Sequence, residues 1–316
     1  LVSGGLTLNN ASSKLLLNSI TVDNVSTTSD SLGLDVDADS TVTSLSVANI
    51  TPVSIASGSS LSGGITVTAG SIKLGEAGTL ASSISMSGGK IDADESLAVS
   101  GALTHSGDIT IDVADNKTLT YSGAAISLGA NTLTLSGGGS LVSGGLTLDN
   151  ASSKLVLNSI TVDNVSTTSD SSSGGLDVDN DSTVSSLSVA HITPVSIASG
   201  KTLSGAITVT AGSIKLAETG TLASSISMSG GTLDADNSLT VSGTLTQSGA
   251  ITIDVADNKT LTYSGTAISL GANTLTLSGG GSFVSGGLTL NNPSSKLLLN
   301  SITVDNVSTT SDSSSG

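Results

Sequence analysis

Aspartates recur at alternate positions along this chain. In "LDVDADS", Asp35, Asp37 and Asp39 fall two residues apart, and Asp177, Asp179 and Asp181 repeat the spacing. Carboxylates two apart on an extended strand lie on one side of it. A second group, "KIDADES", carries Asp92, Asp94 and Glu95, and "IDVADN" about 20 residues later carries Asp112 and Asp115. Asp234, Asp236, Asp254 and Asp257 repeat that arrangement. A chain that completes one turn in that distance sets Asp92 one layer from Asp112 and Asp94 one layer from Asp115. Like charges stacked at strand spacing repel unless they are screened or bridged. A hard cation with several oxygen ligands, calcium above all, turns such repulsion into a cross-link. These aspartates are therefore candidate calcium ligands, the one cofactor the residues suggest. The competing reading is a solvated acidic edge that keeps a repetitive molecule soluble and blocks side-by-side aggregation.

Other chemistry is thinly supplied. The D-x-D-x-D spacing resembles an EF-hand loop, but Ser40 stands where that loop wants Gly and Ser46 where it wants the bidentate Glu. The G-G-x-G-x-D nonapeptide of calcium-binding β-rolls is missing too. The histidines are His105 and His191; the other copy of the repeat has Gln247 and Asn49 at those places, so neither reads as essential. Glycoside hydrolysis by paired carboxylates needs a cleft with aromatic sugar platforms, and aromatics make up 1% of residues. No catalytic residue is assigned, and the chain reads as a non-enzyme. Outward hydroxyls form a second pattern: Thr7, Ser26, Ser46, Thr66, Ser85, Thr104 and Ser127 recur once per turn. They resemble a rough version of the Thr arrays of ice-binding solenoids, interrupted on their flanks by Ala48, Gly64 and Ala102. The plainer reading is small β-compatible residues clothing a sheet.

The elements that position these groups follow from two nested repeats. "LVSGGLTL" opens the chain, returns at Leu141 and comes back as "FVSGGLTL" at Phe283. Residues 1–140 and 141–282 match at roughly six positions in seven, and 283–316 begin a third copy. The second copy adds two residues, "SDSSSGG" against "SDSLG", as a surface loop tolerates. Inside each copy, short runs alternating apolar with small polar residues recur about every 20 positions in three columns. One begins at Leu6, Val25, Leu45, Ile65, Ile84, Leu103 and Ile126; a second at Leu15, Leu34, Val53, Ile72, Ile91, Ile109 and Leu133; a third at Ile20, Thr41, Leu61, Thr79, Leu97, Leu119 and Leu141. Period-2 alternation marks strands with one buried face, and no segment carries helical spacing. The prediction is all-β: a parallel β-helix (β-solenoid) with about 20 residues and three short strands per coil, and seven coils per long repeat. Its core is Leu6, Leu8, Leu45, Val47, Ile65, Val67, Leu133, Leu135 and their equivalents. Coils stacked at about 4.8 Å give the long repeat a rise of about 34 Å. A narrow aliphatic core explains the near-absence of aromatics, and sharp corners explain the Gly, Asn and Asp between runs.

Composition limits the partners. A chain that is 36% hydrophobic is ordered rather than a Ser/Gly linker. Net charge is −16, Arg is absent and Lys numbers nine, which disfavours nucleic acid and anionic lipid. Cys is absent, so stability comes from packing. No apolar run is long enough to span a membrane. The first residues fall in mid-pattern, so the chain reads as excised from something longer. Phrases such as "ADNKTLTYSG", "GANTLTLSGGGSLVSGGLTL" and "SGTLTQSGAITI" resemble the repeat regions of secreted bacterial surface proteins, namely autotransporter passengers and filamentous-haemagglutinin-like adhesins. The resemblance implies a secreted, elongated, cell-surface or matrix protein. Near-identity of the long copies departs from the more diverged coils of adhesins and suits a stalk or fibre. The expectation is therefore a structural extracellular rod or filament that self-associates end-to-end or laterally. The alternatives are an adhesin shaft whose binding tip lies elsewhere and, further off, an ice-binding solenoid.

Overall fold

A computed structural model describes residues 4–311. The last five residues of the third copy, and the first three of the chain, lie outside the described residues. Described secondary structure is strand, turn and bend, with no helix. The strands stack in parallel in coils of about 20 residues, a β-solenoid. The chain divides into two compact units, Leu1–Thr147 with Asn158–Asp163, and Leu148–Leu157 with Asn164–Gly316.

In the first unit one wall is a parallel sheet of seven strands: Lys14–Leu17, Gly33–Val36, Ile50–Ile55, Ser71–Leu74, Lys90–Ala93, Ile109–Val113 and Thr132–Ser136. They pair in chain order, Leu15 with Leu34, Leu34 with Val53, Ile91 with Ile111 and Ile111 with Leu135. The facing wall carries the other two columns. Leu6 pairs with Val25, Val25 with Leu45, Leu45 with Ile65, Ile65 with Ile84 and Ile84 with Leu103. In the second unit the corresponding wall has eight strands, from Lys154–Asn158 to Lys296–Asn300, with the same coil-to-coil register.

Alternation sets the core. Leu45, Val47, Val67, Leu133 and Leu135 are wholly buried, and Ile65 and Leu8 nearly so; Leu6 is half-buried. Each fully buried aliphatic side chain is worth about 1.5–3 kcal/mol relative to exposure, and identical coils repeat that gain.

Two departures from the sequence pattern are structural findings. In several coils two of the three runs fuse into one strand, as in Ser40–Val47 and Ser60–Val67, or Ser182–Val189 and Thr202–Val209. A bulge makes this possible: Val42 pairs with Gly63 and Ser44 with Gly64, leaving Thr43 unpaired. Gly63 has φ 118° and approaches Val42 O so closely that a Cβ would lie 1.9 Å from it. Glycine alone fits there.

The second departure is a register slip. Strand Ile50–Ile55 pairs backward through Val53 on Leu34, but forward through Thr51 on Ile72 and Val53 on Leu74. The sequence columns align Val53 with Ile72 instead. A slip of two residues keeps every side chain on its face, so the core tolerates it. The slip brings Thr51 inside, wholly buried, where its hydroxyl donates to Thr27 Oγ1 at 3.1 Å.

Candidate functional site: aspartate and lysine columns

Most charged groups gather on the outward positions of the wall that begins with Lys14–Leu17 and on the turns beside it, while Asp23 and Asp163 stand on strands Thr21–Thr27 and Thr161–Thr167 of the other sheet. Strand Gly33–Val36 ends before the second and third aspartates of "LDVDADS", so Asp35, Asp37 and Asp39 do not share one extended face. Asp35 points outward from the strand and meets Lys14 Nζ at 2.6 Å. Asp37 and Asp39 lie exposed at the corner, which Ser40 Oγ closes by donating to Ala38 O at 2.8 Å. Asp39 Oδ1 accepts from Ser60 N at 2.8 Å and Ser60 Oγ at 3.0 Å, one coil on. The second repeat follows suit. Asp177 meets Lys154 Nζ at 2.8 Å, Asp179 is exposed at the corner, and Asp181 Oδ1 accepts from Thr202 N at 2.8 Å.

The second aspartate group is brought together as its spacing predicts, in part. Asp92 and Asp112 are direct register partners, as are Asp234 and Asp254. Lys90 Nζ sits 3.3 Å from both Asp92 and Asp112. Lys73 Nζ lies 3.0 Å from Asp94 and 4.0 Å from Asp92. Asp94 therefore finds a lysine, while Asp115, in the turn closed by Lys117 N donating to Ala114 O, fills the space above Gly138. Asp257 does the same above Gly280. Ser136 Oγ donates to Asp112 and Ser278 Oγ to Asp254. Asp234 has Lys215 Nζ at 3.6 Å, and Asp236 is exposed in the following bend. Among the described residues no group of three or more carboxylates or imidazoles converges closely enough to hold a metal ion.

The lysines were the residues the aspartate spacing alone did not bring in. Lys14–Asp35, Lys73–Asp92, Lys90–Asp112, Lys154–Asp177 and Lys215–Asp234 each join one coil to the next. Lys117 and Glu95 pair between coils as well. The signal was a lysine about one turn before an aspartate, at the same outward phase. The hydrogen bonds to Asp94 and to Asp177 hold Lys73 and Lys154 above the ordinary lysine range. Burial, reinforced by the Asp236 and Asp254 carboxylates against the pull of Lys215, pushes Asp234 above the ordinary carboxylate range.

The hydroxyl column is in register from Thr7 through Ser26, Ser46, Thr66 and Ser85 to Thr104, with Ser127 paired to Thr147. Three of its hydroxyls have partners within the fold: Thr7 Oγ1 and Ser26 Oγ share a hydrogen bond at 3.3 Å, and Thr104 Oγ1 donates to Ile84 O at 3.5 Å. A shallow groove of about 190 Å³ crosses it at Gly64, Ala102 and Thr104. His105 faces inward above Met86, its Nδ1 3.1 Å from Gly107 O. His191 Nδ1 lies 3.4 Å from Asp170 Oδ1. Among the described residues no helix is long and apolar enough to cross a membrane.

The chain was compared with protein-family models, curated proteins and solved structures, and nothing matches it in any of the three.

Proposed function

We propose that the chain is a structural segment of an extracellular rod or filament, a surface coat, stalk or matrix fibre. The observation that carries this reading is repetition in register: coil pairs with coil at equivalent residues, and the whole block of coils is then written again. Stacking of this kind builds length by adding units whose stability comes from their neighbours. The resemblance of the turn phrases to bacterial surface proteins supports secretion and self-association, end-to-end or lateral. The charged columns serve as coil-to-coil clamps, with lysine as the bridging cation at most of the paired aspartates. Calcium is the competing bridge for the aspartates that have no lysine.

Electron microscopy of the native full-length material, with and without a calcium chelator, tests the reading. The expected result is long uniform fibres with an axial period of about 34 Å. Fraying on chelation assigns the aspartates to calcium; persistence leaves the lysines as the clamps. Single rods ending in a knob move the binding function to the tip and make this segment an adhesin shaft. Compact particles reject the filament outright.

A further inference from the structure

Nine asparagines stand two residues ahead of a serine or threonine, with a residue other than proline between. That is the acceptor pattern for N-linked sugar, and it is used where it falls on a surface loop. The fold sorts the nine. Asn24 and Asn164 lie within strands Thr21–Thr27 and Thr161–Thr167. Asn49 Nδ2 donates to Thr27 O at 3.3 Å. Asn306 Nδ2 donates to Ser285 O at 3.3 Å and to Asp305 Oδ2 at 3.1 Å. Asn180 is half-buried. There remain Asn10, Asn116, Asn150 and Asn258, all exposed in turns or bends and two to each long repeat.

These turns use the asparagine without using its nitrogen. Asn10 opens a turn closed by Ser13 N donating to Asn10 O at 2.9 Å, and its side-chain oxygen accepts from Ser12 N at 2.9 Å. Asn150 does the same with Ser153 N and Ser152 N, both at 3.0 Å. Each carboxamide is thus held by its oxygen. Asn116 and Asn258 are third in turns closed by Lys117 N on Ala114 O and Lys259 N on Ala256 O, each at 3.0 Å. Both have φ 60°, a conformation asparagine tolerates better than most residues. The third copy supplies an internal control. Asn292 makes the same turn, its Oδ1 accepting from Ser294 N at 2.9 Å, but Pro293 follows it and closes the pattern. We infer that Asn10, Asn116, Asn150 and Asn258 are acceptor sites for an N-linked sugar, delivered by a transferase from a sugar diphosphate ester. Nδ2 attacks C1 of the sugar, the diphosphate leaves with the bonding pair, and one amide proton passes to a base of the transferase. No strand has to unpair for this, so a folded coil accepts the sugar, which adds a hydrated bulk at the corner.

The inference rests on the reading of the chain as secreted. Its test is peptide mapping by mass spectrometry of the full-length protein from its native source. Sugar mass is expected on the peptides at Asn10, Asn116, Asn150 and Asn258, and not at Asn24, Asn49, Asn164, Asn180, Asn292 or Asn306. Ser12→Ala and Thr118→Val, made in the same host, keep the amide and remove the hydroxyl two residues on. Each is expected to strip the sugar from its own asparagine alone. Pro293→Ala is expected to open Asn292 as a further acceptor. Four bare asparagines overturn the inference. So does sugar on Asn24 and Asn164 equal to that on the turns, or full occupancy of Asn116 in Thr118→Val. The same preparation in the electron microscope separates this from the filament reading. Fibres of unmodified chain sink the sites and leave the filament, whereas sugar at the four turns of compact particles does the reverse.

Discussion

Tyr121 Oη accepts a hydrogen bond from Leu103 N at 3.0 Å, and Tyr263 Oη one from Leu245 N at 2.9 Å. Both rings are buried, and each lies where a side chain on Gly123 or Gly265 would collide with it. The phenol ends a strand by giving its first N–H an acceptor that the ladder does not provide. Tyr121→Phe keeps the ring and leaves that N–H buried and unpaired, an expected loss of about 1–3 kcal/mol, read as a lower urea midpoint. Gly63→Ala is expected to cost more than an ordinary surface change, because its Cβ would meet the Val42 backbone at a positive φ; amide exchange in strand Ser60–Val67 checks it. Neither role was legible in the sequence. The tyrosine's partner lies 18 residues away, and the glycine's need for φ 118° arises from a bulge that only pairing reveals.

Strands carry the charge clamps, and their response to alkali follows from Lys73 and Lys154. Both are held above the ordinary lysine value of 10.5 by hydrogen bonds to Asp94 and Asp177. The stability they add is complete below that value and disappears as pH rises through the higher folded values. A thermal melt followed upward in pH should therefore fall above about pH 10.5, and the double variant Lys73→Met with Lys154→Met should flatten that fall. At this scale the sequence was partly readable. Alternation told inward from outward, so Leu45, Val67 and Leu133 sit where their pattern puts them. It could not tell register, because a shift of two residues leaves the alternation unchanged; hence Thr51, not Val53, stacks on Ile72. Nor could it tell where a strand stops. Asp35, Asp37 and Asp39 alternate like strand residues, yet the chain turns after Val36. The pairing of Asp92 with Asp112 was visible from spacing, whereas the lysine bridge needed both the phase and the layer of Lys90.

For the molecule as a whole, the long repeat is expected to behave as an interchangeable block. Deleting residues 141–282 joins Ser140 to Phe283, which continues the pattern as Leu141 does. Circular dichroism per residue and a cooperative melt should survive that deletion. Removing half a coil, about ten residues, should abolish both, because each later strand would face the wrong column; dichroism and size-exclusion elution distinguish the outcomes. The block was the most legible feature of all, since copies aligned over their full length need no knowledge of contacts. One consequence of the parallel pairing concerns load. Hydrogen bonds between coils point along the stacking direction, so a pull on a chain end unzips the terminal coil bond by bond rather than shearing many bonds together. Each coil let go exchanges about 4.8 Å of stack for about 70 Å of extended chain. Such a material yields by lengthening long before its covalent chain is strained, and the coil beneath remains as the template on which a slackened turn winds back.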